Sequence, residues 1–435
     1  MSKKISLLLL LFGATAPVNL FGQSAFLMPN QTNQGVFMGG LGVSVIDDET
    51  YVAFNFYPEF AIGKLGFGLS IPFRFNTETG DLREEDWNET YDYFRILRFV
   101  RYGYKRDPFY ARFGELDATR IGHGFIMNFY NNNIIYYDRR KIGLALDMDA
   151  GVAGFESMTS NLGRAEIFGG RVYYRPLYES GTIVLKNLAI GASYVTDIDP
   201  DENRNTSDGL AEYGLDIELP LIKSPIFETI VYADYAKISQ HGSGKAVGIE
   251  MILEGVGGTF EFVAQLERRY LNANFKANYF NAFYEIDRFR LMPGAAGAFR
   301  KEDLLAAQPK TRGTFGLLRG SFINTIDILG TYERLDGVPN SGILHLQAIV
   351  PNTVPKMSLR AAYDRAGINS FADAFRLDQR SVARFGFGYK LNPFIVVYMD
   401  YIWTYKLDPV SGEYKSQRRV EPQLAFVYPF SIGGR

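Results

Sequence analysis

The sequence contains no cysteine, so disulfide bonds, thiolate metal sites and a lipoprotein anchor are all excluded. After its N-terminal segment it has no run of 18 apolar residues and offers no apolar helix that could cross a membrane. The histidines are His123, His241 and His345, and their spacing matches no metal site. The 46 basic and 48 acidic residues nearly cancel, which argues against a nucleic-acid partner.

Aromatic residues and glycine, by contrast, are abundant. Phenylalanine and tyrosine supply 35 and 28 of the 435 residues, and there are 44 glycines. Aromatic residues form girdles at both interfaces of transmembrane barrels, and glycine suits tight turns and a smooth lumen. A charged fraction of 22% is compatible with such a barrel, because lipid-facing and lumen-facing residues alternate along each strand.

The clearest local pattern is the alternation within Leu65–Asn76, where large apolar residues occupy every odd position and small or polar residues every even one. A period of two predicts a β-strand with one apolar face and one polar face. The alternation recurs in Phe260–Glu267, Ala383–Lys390 and Leu424–Phe430. Strands of roughly 9–13 residues along the chain would be long enough to cross a bilayer when tilted.

Short and long connections alternate between these segments. The short ones include Gly63–Lys64, Lys105–Pro108, Ser224–Pro225, Val256–Gly258, Ile323–Thr325 and Leu391–Pro393. The long ones include Thr77–Thr90, Asp117–Arg139, Asp197–Gly209, Leu271–Thr311, Ala366–Arg380 and Leu407–Gln417. We therefore predict an all-β fold, a transmembrane antiparallel β-barrel of about 20 strands (roughly 16–20), with long extracellular loops and short periplasmic turns.

The N-terminus has the pattern of an export signal. Lys3 and Lys4 precede the apolar segment Ile5–Phe12, which is too short to span a bilayer, and small residues follow up to Ala25. We predict a signal peptide over residues 1–24 and a single outer-membrane β-barrel over residues 25–435. A short buried helix is the alternative for the first segment.

The export signal Lys3–Phe12, the alternating segments and the aromatic last strand Glu421–Phe430 together resemble the bacterial outer-membrane β-barrel superfamily, porin-like members in particular. The resemblance is one of architecture and covers nearly the whole chain after the signal. It implies a place in the outer membrane of the Gram-negative envelope. The implied partners are the lipid bilayer, lipopolysaccharide, the outer-membrane assembly machinery and small polar solutes. Porins commonly end on an aromatic residue, whereas here Ser431–Arg435 follow Phe430.

Two segments fit the strand pattern poorly. In Tyr91–Tyr104, Arg95 and Arg98 would lie on opposite faces of a strand but adjacent on a helix, so both structures stay open. The connection Leu271–Thr311 is longer than an ordinary loop and includes Ala298–Gln308, which is rich in helix formers.

Charged residues on the polar strand faces predict how the lumen is lined. Strands between Ala211 and Glu267 carry mainly acidic residues there, and strands between Leu359 and Lys406 mainly basic ones. The predicted lumen-lining residues are Arg74, Asp216, Glu250, Glu261, Glu267, Arg360, Arg384 and Lys390. Walls of opposite charge would place a field across a wet pore, which orients polar solutes and filters ions. The alternative is a plugged lumen rigidified by local ion pairs.

Arg120 and His123 lie in Asp117–Asn133, where Gly122 and Gly124 flank the histidine. We predict an ordered loop at or within the barrel mouth. An arginine and a histidine together could face an anion, because both can donate charge-assisted hydrogen bonds. A membrane-embedded hydrolase would need a serine or aspartate beside the histidine, and the sequence identifies none.

The leading interpretation is a passive channel for small hydrophilic solutes or ions. The alternative is a non-transporting barrel whose long extracellular loops bind a partner or serve a structural role in the envelope. A barrel-embedded hydrolase is a third hypothesis. The sequence contains no recognisable catalytic set, nucleotide loop, cofactor motif or metal motif, so we expect neither an enzyme nor a cofactor.

Overall fold

A computed structural model describes most of residues 34–431. The positions outside its description within that range are 47–48, 57, 104, 106, 117–118, 133–140, 165, 180–181, 183, 202, 204, 207, 257–258, 282–283, 292–297, 323–324, 351–353, 355, 379–380 and 408–413. The export signal over residues 1–24 lies outside the described residues and stays a prediction, and residues 432–435 also lie outside them.

The described residues form 24 β-strands and a few short helical turns. The strands are β1 Gln34–Ile46, β2 Glu49–Phe56, β3 Glu59–Ile62, β4 Leu65–Leu69, β5 Ile71–Asn76, β6 Leu97–Tyr102, β7 Phe109–Gly114, β8 Gly143–Asp149, β9 Ala153–Thr159, β10 Ile167–Tyr174, β11 Ala189–Asp197, β12 Leu210–Lys223, β13 Phe227–Ile238, β14 Ser243–Glu254, β15 Phe260–Leu271, β16 Phe289–Leu291, β17 Ala298–Arg300, β18 Thr311–Phe322, β19 Ile326–Leu335, β20 Gly342–Val350, β21 Met357–Ile368, β22 Ser381–Lys390, β23 Ile395–Leu407 and β24 Tyr414–Ser431. The α-helices are Thr90–Arg95 and Tyr284–Asp287, and the 3-10 helices are Glu84–Asp86, Leu185–Asn187, Lys301–Ala307 and Phe371–Phe375.

Twenty-two of these strands form one sheet, and β16 pairs only with β17. β2 and β3 both pair with β1, and they pair in turn with β5 and β4. β2 and β3 therefore form one interrupted crossing of the barrel, and β4 and β5 form another. The 22 strands of the sheet thus make 20 crossings. β1 also pairs with β24, from Gln34 opposite Ser431 to Leu41 opposite Leu424. This pairing brings the antiparallel series back to its first strand, and the predicted barrel of about 20 strands is confirmed.

The sheet has its apolar face on the outside and its charged face on the inside, which is the reverse of a water-soluble protein. On β12 the side chains of Tyr213, Leu215 and Ile217 are exposed, with Leu215 at 60%, while Asp216 is buried and Glu212 is fully inaccessible. A continuous apolar exterior around a charged interior is stable when the exterior faces lipid. The barrel therefore spans a membrane. Among the described residues, no helix is both long and apolar enough to cross one.

Long connections gather at one end of the barrel, because successive crossings run in opposite directions. They include residues 77–96, 115–142, 272–310 and 369–380. The opposite end carries short turns such as residues 63–64, 224–226 and 391–394, together with one longer connection at 175–188. The predicted arrangement of long extracellular loops and short periplasmic turns agrees with this division.

The two ambiguous segments each combine a helix with a neighbouring element. In Tyr91–Tyr104 the helix Thr90–Arg95 ends just before β6, so the helical and extended interpretations are each correct for one half. Asp92 fixes the start of that helix by accepting a hydrogen bond from the backbone N–H of Glu89 at 2.9 Å. In Ala298–Gln308 a short strand precedes a 3-10 helix.

The described parts of two long loops fold into the barrel. We call residues 115–142 the first inserted loop and residues 272–310 the second. Their buried side chains form one apolar cluster with inward residues of the wall such as Val195, Ala236 and Ile238. The loop members of this cluster are Leu116, Ile121, Phe125, Ile126, Met127, Tyr130, Phe275, Ala277, Tyr279, Phe280, Tyr284 and Leu305. Met127 and Phe280 form a bridge between the two loops, so the loops are joined to each other inside the barrel.

The exterior can be tested at Leu318, whose side chain is 69% exposed in the middle of β18. We expect Leu318→Arg to lower the free energy of unfolding by ~2–4 kcal/mol, because a guanidinium would face acyl chains. Urea titration of the barrel refolded in phospholipid vesicles measures this. Thr331→Arg is the control, because Thr331 lies on β19 with its side chain on the lumen side, beside Leu317. Equal losses at the two positions would contradict the assignment of the faces.

Candidate functional site

The candidate site is a charge network inside the barrel, where the first inserted loop meets the inward faces of β9–β15. The backbone N–H of Leu116 donates to Asn132 Oδ1 at 2.9 Å, and Thr119 and Tyr130 pair with each other across the loop. Gly124 adopts a φ of 89°, and a Cβ there would come within 2.8 Å of the side chain of Asn128. The loop is therefore fixed at both ends and tightly folded at its tip.

Arg120 projects from this tip to the wall. Its Nη2 lies 2.9 Å from Glu250 Oε2 on β14, and its Nε donates to the backbone oxygen of Gly122 at 3.0 Å. Both side chains of the ion pair are largely buried, so each neutralises a charge that would be costly alone.

His123 bridges two wall carboxylates. Its Nε2 lies 2.9 Å from Glu218 Oε2, and its Nδ1 lies 3.0 Å from Asp234 Oδ1. The imidazole stacks on the ring of Tyr232, with ring centroids 3.9 Å apart. Burial alone would lower the pKa of His123, but Asp234 and Glu218 outweigh it and raise the pKa to about 10. His123 is therefore an imidazolium ion that donates two hydrogen bonds.

Arg171 on β10 is the centre of the network. Its Nε and Nη2 bond the two oxygens of Asp216 at 2.9 and 2.5 Å, a bidentate pairing. Its remaining contacts reach Glu156 Oε1 at 3.1 Å and Glu218 Oε2 at 3.3 Å. Glu218 thus joins the arginine to His123, and the loop and the wall share one set of carboxylates.

Three residues of this network have the donor types of a metal centre. Ligand atoms of His123, Asp216 and Glu218 lie within 4.8 Å of one another. Both nitrogens of His123 already bond carboxylates, and Arg171 occupies both oxygens of Asp216. A cation would have to displace an imidazolium and a guanidinium, so this arrangement does not fit a metal ion.

The acidic residues predicted on β15 also have partners. Glu267 accepts hydrogen bonds from Arg269 Nε at 2.7 Å and from the hydroxyl of Tyr232 at 2.9 Å. Glu261, nearer the periplasmic end, pairs with Arg319 Nη1 at 2.7 Å. Each predicted acidic residue on β12, β14 and β15 is therefore balanced by a cation within the barrel.

The predicted basic residues are spread over two parts of the wall. Arg74 is buried and pairs with Asp86 at 2.6 Å, while Arg360 lies over the ring of Tyr398 at 4.9 Å. Lys390 Nζ donates to the backbone oxygen of Val354 at 2.5 Å. The backbone of Arg384 lies opposite Ala362, and its side chain is outside the described residues. Arg360, Arg384 and Lys390 lie on adjacent strands, several crossings away from Arg74.

Several important residues were not predicted. Arg171 alternates with Phe168, Gly170 and Val172 on β10, so the parity used for other strands would have placed it inside. Asp234 was likewise available from the alternation of β13. The pairing of Asp234 with the first inserted loop had no signal in the sequence, because Asp234 is 111 residues from His123 along the chain.

A second ion cluster at the long-loop end ties the two inserted loops together. Arg288 Nη1 lies 2.8 Å from Glu166 Oε2 and 3.2 Å from Glu285 Oε2. Lys141 Nζ bonds the same two carboxylates at 2.5 and 2.7 Å. The hydroxyl of Tyr130 also donates to Glu285. Because Tyr130 and Lys141 belong to the first loop and Arg288 to the second, neither loop can leave the barrel without breaking buried ion pairs.

The charge on His123 predicts a pH-dependent stability. Its pKa of about 10 lies above the ordinary value of 6.5, so its contribution is complete below about pH 6.5 and is lost as the pH rises through about 10. We expect His123→Gln to lower the Tm clearly at pH 6 and progressively less towards pH 10. Thermal unfolding in detergent measures this, with His241→Gln, a change at the rim, as control. A Tm difference for His123→Gln that is the same at both pH values would contradict the assignment.

Comparison with known proteins finds no matching family model and no matching curated protein. Matching solved structures include the outer membrane protein OpdK of Pseudomonas aeruginosa, with 10% identity over 92% of this chain and 98% of that chain and a TM-score of 0.34. A BenF-like porin of Pseudomonas fluorescens matches with 10% identity, 92% and 98% coverage and a TM-score of 0.30. OccAB3 of Acinetobacter baumannii matches with 10% identity, 91% and 98% coverage and a TM-score of 0.31.

Similarity at this level identifies neither a solute nor the role of any residue. The assignment to a membrane depends instead on the apolar exterior, the charged interior and the return of β24 to β1. An antiparallel barrel with these features is the architecture of porin-like proteins of the bacterial outer membrane. The described strands of this chain therefore form a transmembrane antiparallel β-barrel.

Proposed function

We propose that this barrel is a passive channel for small hydrophilic solutes or ions. The observation that carries the proposal is a ring of 20 crossings whose interior is lined by charged side chains. Barrels of about 16–18 strands already enclose an aqueous channel. Twenty crossings therefore provide room for a passage beside the two inserted loops.

The passage in this proposal follows the wall formed by β20–β24. Among the described residues, the buried members of the two apolar clusters that include inserted-loop residues come from none of these strands, and only Ile349 at the end of β20 packs against one of the clusters. The opposite wall, β9–β15, is occupied by the first inserted loop and its ion pairs. This division leaves the β20–β24 side for solutes.

The charge of that wall suggests which solutes are favoured. Arg360 is partly exposed over Tyr398, and Arg384 and Lys390 follow on the neighbouring strand. Cationic groups attract anions over about 8 Å in physiological salt. On the other side, Glu250, Glu218, Asp216 and Glu267 are already paired with cations, so these carboxylates offset little of this attraction. We therefore infer a preference for anions or negatively charged solutes.

Charge reversal at Arg360 tests this preference. We expect Arg360→Glu to shift the reversal potential of single channels in planar bilayers toward cation selectivity at low salt, with a smaller shift at high salt. Arg334→Glu is the matched control, since Arg334 makes the same charge change at an exposed position at the rim. A shift of equal size in both variants would contradict a path along Arg360.

The second candidate function is a non-transporting barrel whose extracellular loops bind a partner. It is favoured by the two ion clusters that lock the inserted loops inside the barrel. Replacing residues 119–130 by two glycines separates the candidates. If the barrel is a channel, the wild-type protein conducts current and the shortened protein conducts more. Current from the shortened protein alone, with both proteins folded and inserted, would support the non-transporting barrel.

A hydrolase receives no support from His123. Both of its ring nitrogens are bonded to carboxylates, and its positive charge prevents it from accepting a proton. We propose no enzymatic role for the site.

A further inference from the structure

The loop after β21, residues 369–378, lies against the outside of the barrel. The hydroxyl of Tyr363 donates to the backbone oxygen of Ala374 at 2.7 Å and is 3.1 Å from that of Arg376. Arg365 Nη2 donates to Asp378 Oδ2 at 2.9 Å, and Arg365 is almost fully buried by this contact. Two side chains from the second half of β21 therefore hold the loop in place.

Strand register gives the direction in which Tyr363 points. It lies opposite Leu346 on β20 and opposite Ala383 on β22. Leu346 is exposed, and so is Phe385, which lies two residues from Ala383 and shares its face. Tyr363 is therefore on the lipid-facing side, and the loop that it binds sits directly beside the apolar exterior.

The loop presents two aromatic rings in a fixed arrangement. Asp373 accepts hydrogen bonds from the backbone N–H and the hydroxyl of Ser370 at 2.8 and 3.0 Å, which fixes the start of a 3-10 helix. Phe371 and Phe375 are 83% and 65% exposed, with ring centroids 5.2 Å apart, and Leu377 is also exposed. Such a cluster would be unfavourable in water, because its apolar surface is contiguous and held open.

We propose that residues 369–378 form a lipid foot, which inserts Phe371, Phe375 and Leu377 into the acyl–headgroup boundary of the outer leaflet. Continuity with the lipid-facing exterior at Leu346 and Phe385 identifies lipid as the occupant of this surface. Aromatic residues concentrate at this depth in transmembrane barrels.

The polar side of the foot fits the same environment. The side chain of Arg376 is largely exposed. Its Nη1 lies 3.4 Å from Asp373 Oδ1, which makes a weak ion pair. A guanidinium at the acyl–headgroup boundary can reach lipid phosphates, while the methylene groups of the arginine side chain stay among the acyl chains. The proposal requires that the barrel span a membrane and is independent of whether its lumen conducts.

The absence of cysteine from the chain allows a direct test with single labels. A nitroxide attached to Phe371→Cys is examined in vesicles of phosphatidylethanolamine and phosphatidylglycerol by electron paramagnetic resonance. We expect collisions with oxygen, which partitions into lipid, to exceed collisions with a water-soluble nickel chelate several-fold. Leu318→Cys provides the lipid-facing reference, and Asn205→Cys, in an exposed loop at the same end, provides the aqueous one.

Two results would overturn the proposal. The first is a Phe371→Cys label that is as accessible to the nickel chelate as the Asn205→Cys label. The second is spin–spin broadening between labels on different molecules, which would mean that a second copy of the chain covers the surface instead of lipid.

A second variant tests how the foot is held. Combining Tyr363→Phe with Arg365→Ala removes the contacts to Ala374, Arg376 and Asp378. We expect the label at position 371 to become accessible to the nickel chelate, while the heat-dependent electrophoretic shift of the folded barrel is retained. A folded variant whose label keeps its lipid accessibility would contradict positioning of the foot by these two side chains.

Discussion

The structure depends on one constraint, which is that backbone N–H and C=O groups within lipid must find partners in the protein. A sheet meets this requirement only if its last strand returns to its first, and β24 pairs with β1 over eight residues on each strand. Closure gives every crossing an inside and an outside. Apolar side chains such as Leu215 and Leu318 can then face lipid, and charged side chains can collect in the interior.

Charges collected in an interior create a second requirement, because a buried charge without a partner costs several kcal/mol. On β12–β15, Asp216 and Glu267 are balanced by Arg171 and Arg269 from the wall, and Glu250 and Glu218 by Arg120 and His123 from the first inserted loop. The loop thus supplies positive charge that neutralises carboxylates of the wall. Its aromatic and aliphatic side chains fill the space that the ion pairs leave, and this combination decides how much of the lumen is open.

The long loops at the extracellular end fold in two different directions. The two inserted loops turn inward and are held by Glu166, Glu285 and Arg288. The lipid foot turns outward and is held by Tyr363 and Arg365. In both cases polar side chains of the barrel wall bind the loop, Glu166 on the inside and Tyr363 and Arg365 on the outside.

Alternation along each strand determined much of this protein in advance. It predicted the antiparallel barrel, the crossing number and the division between long loops and short turns, because side-chain parity and turn length are local properties of the chain. The same parity would have found Arg171 and Asp234 had it been applied to β10 and β13. Only the tertiary structure decided which charges meet: Glu218 is 95 residues from His123, and contact between them requires closure of the barrel and insertion of the loop. The outward foot was equally beyond the sequence, because local patterns carry no information on what a loop packs against.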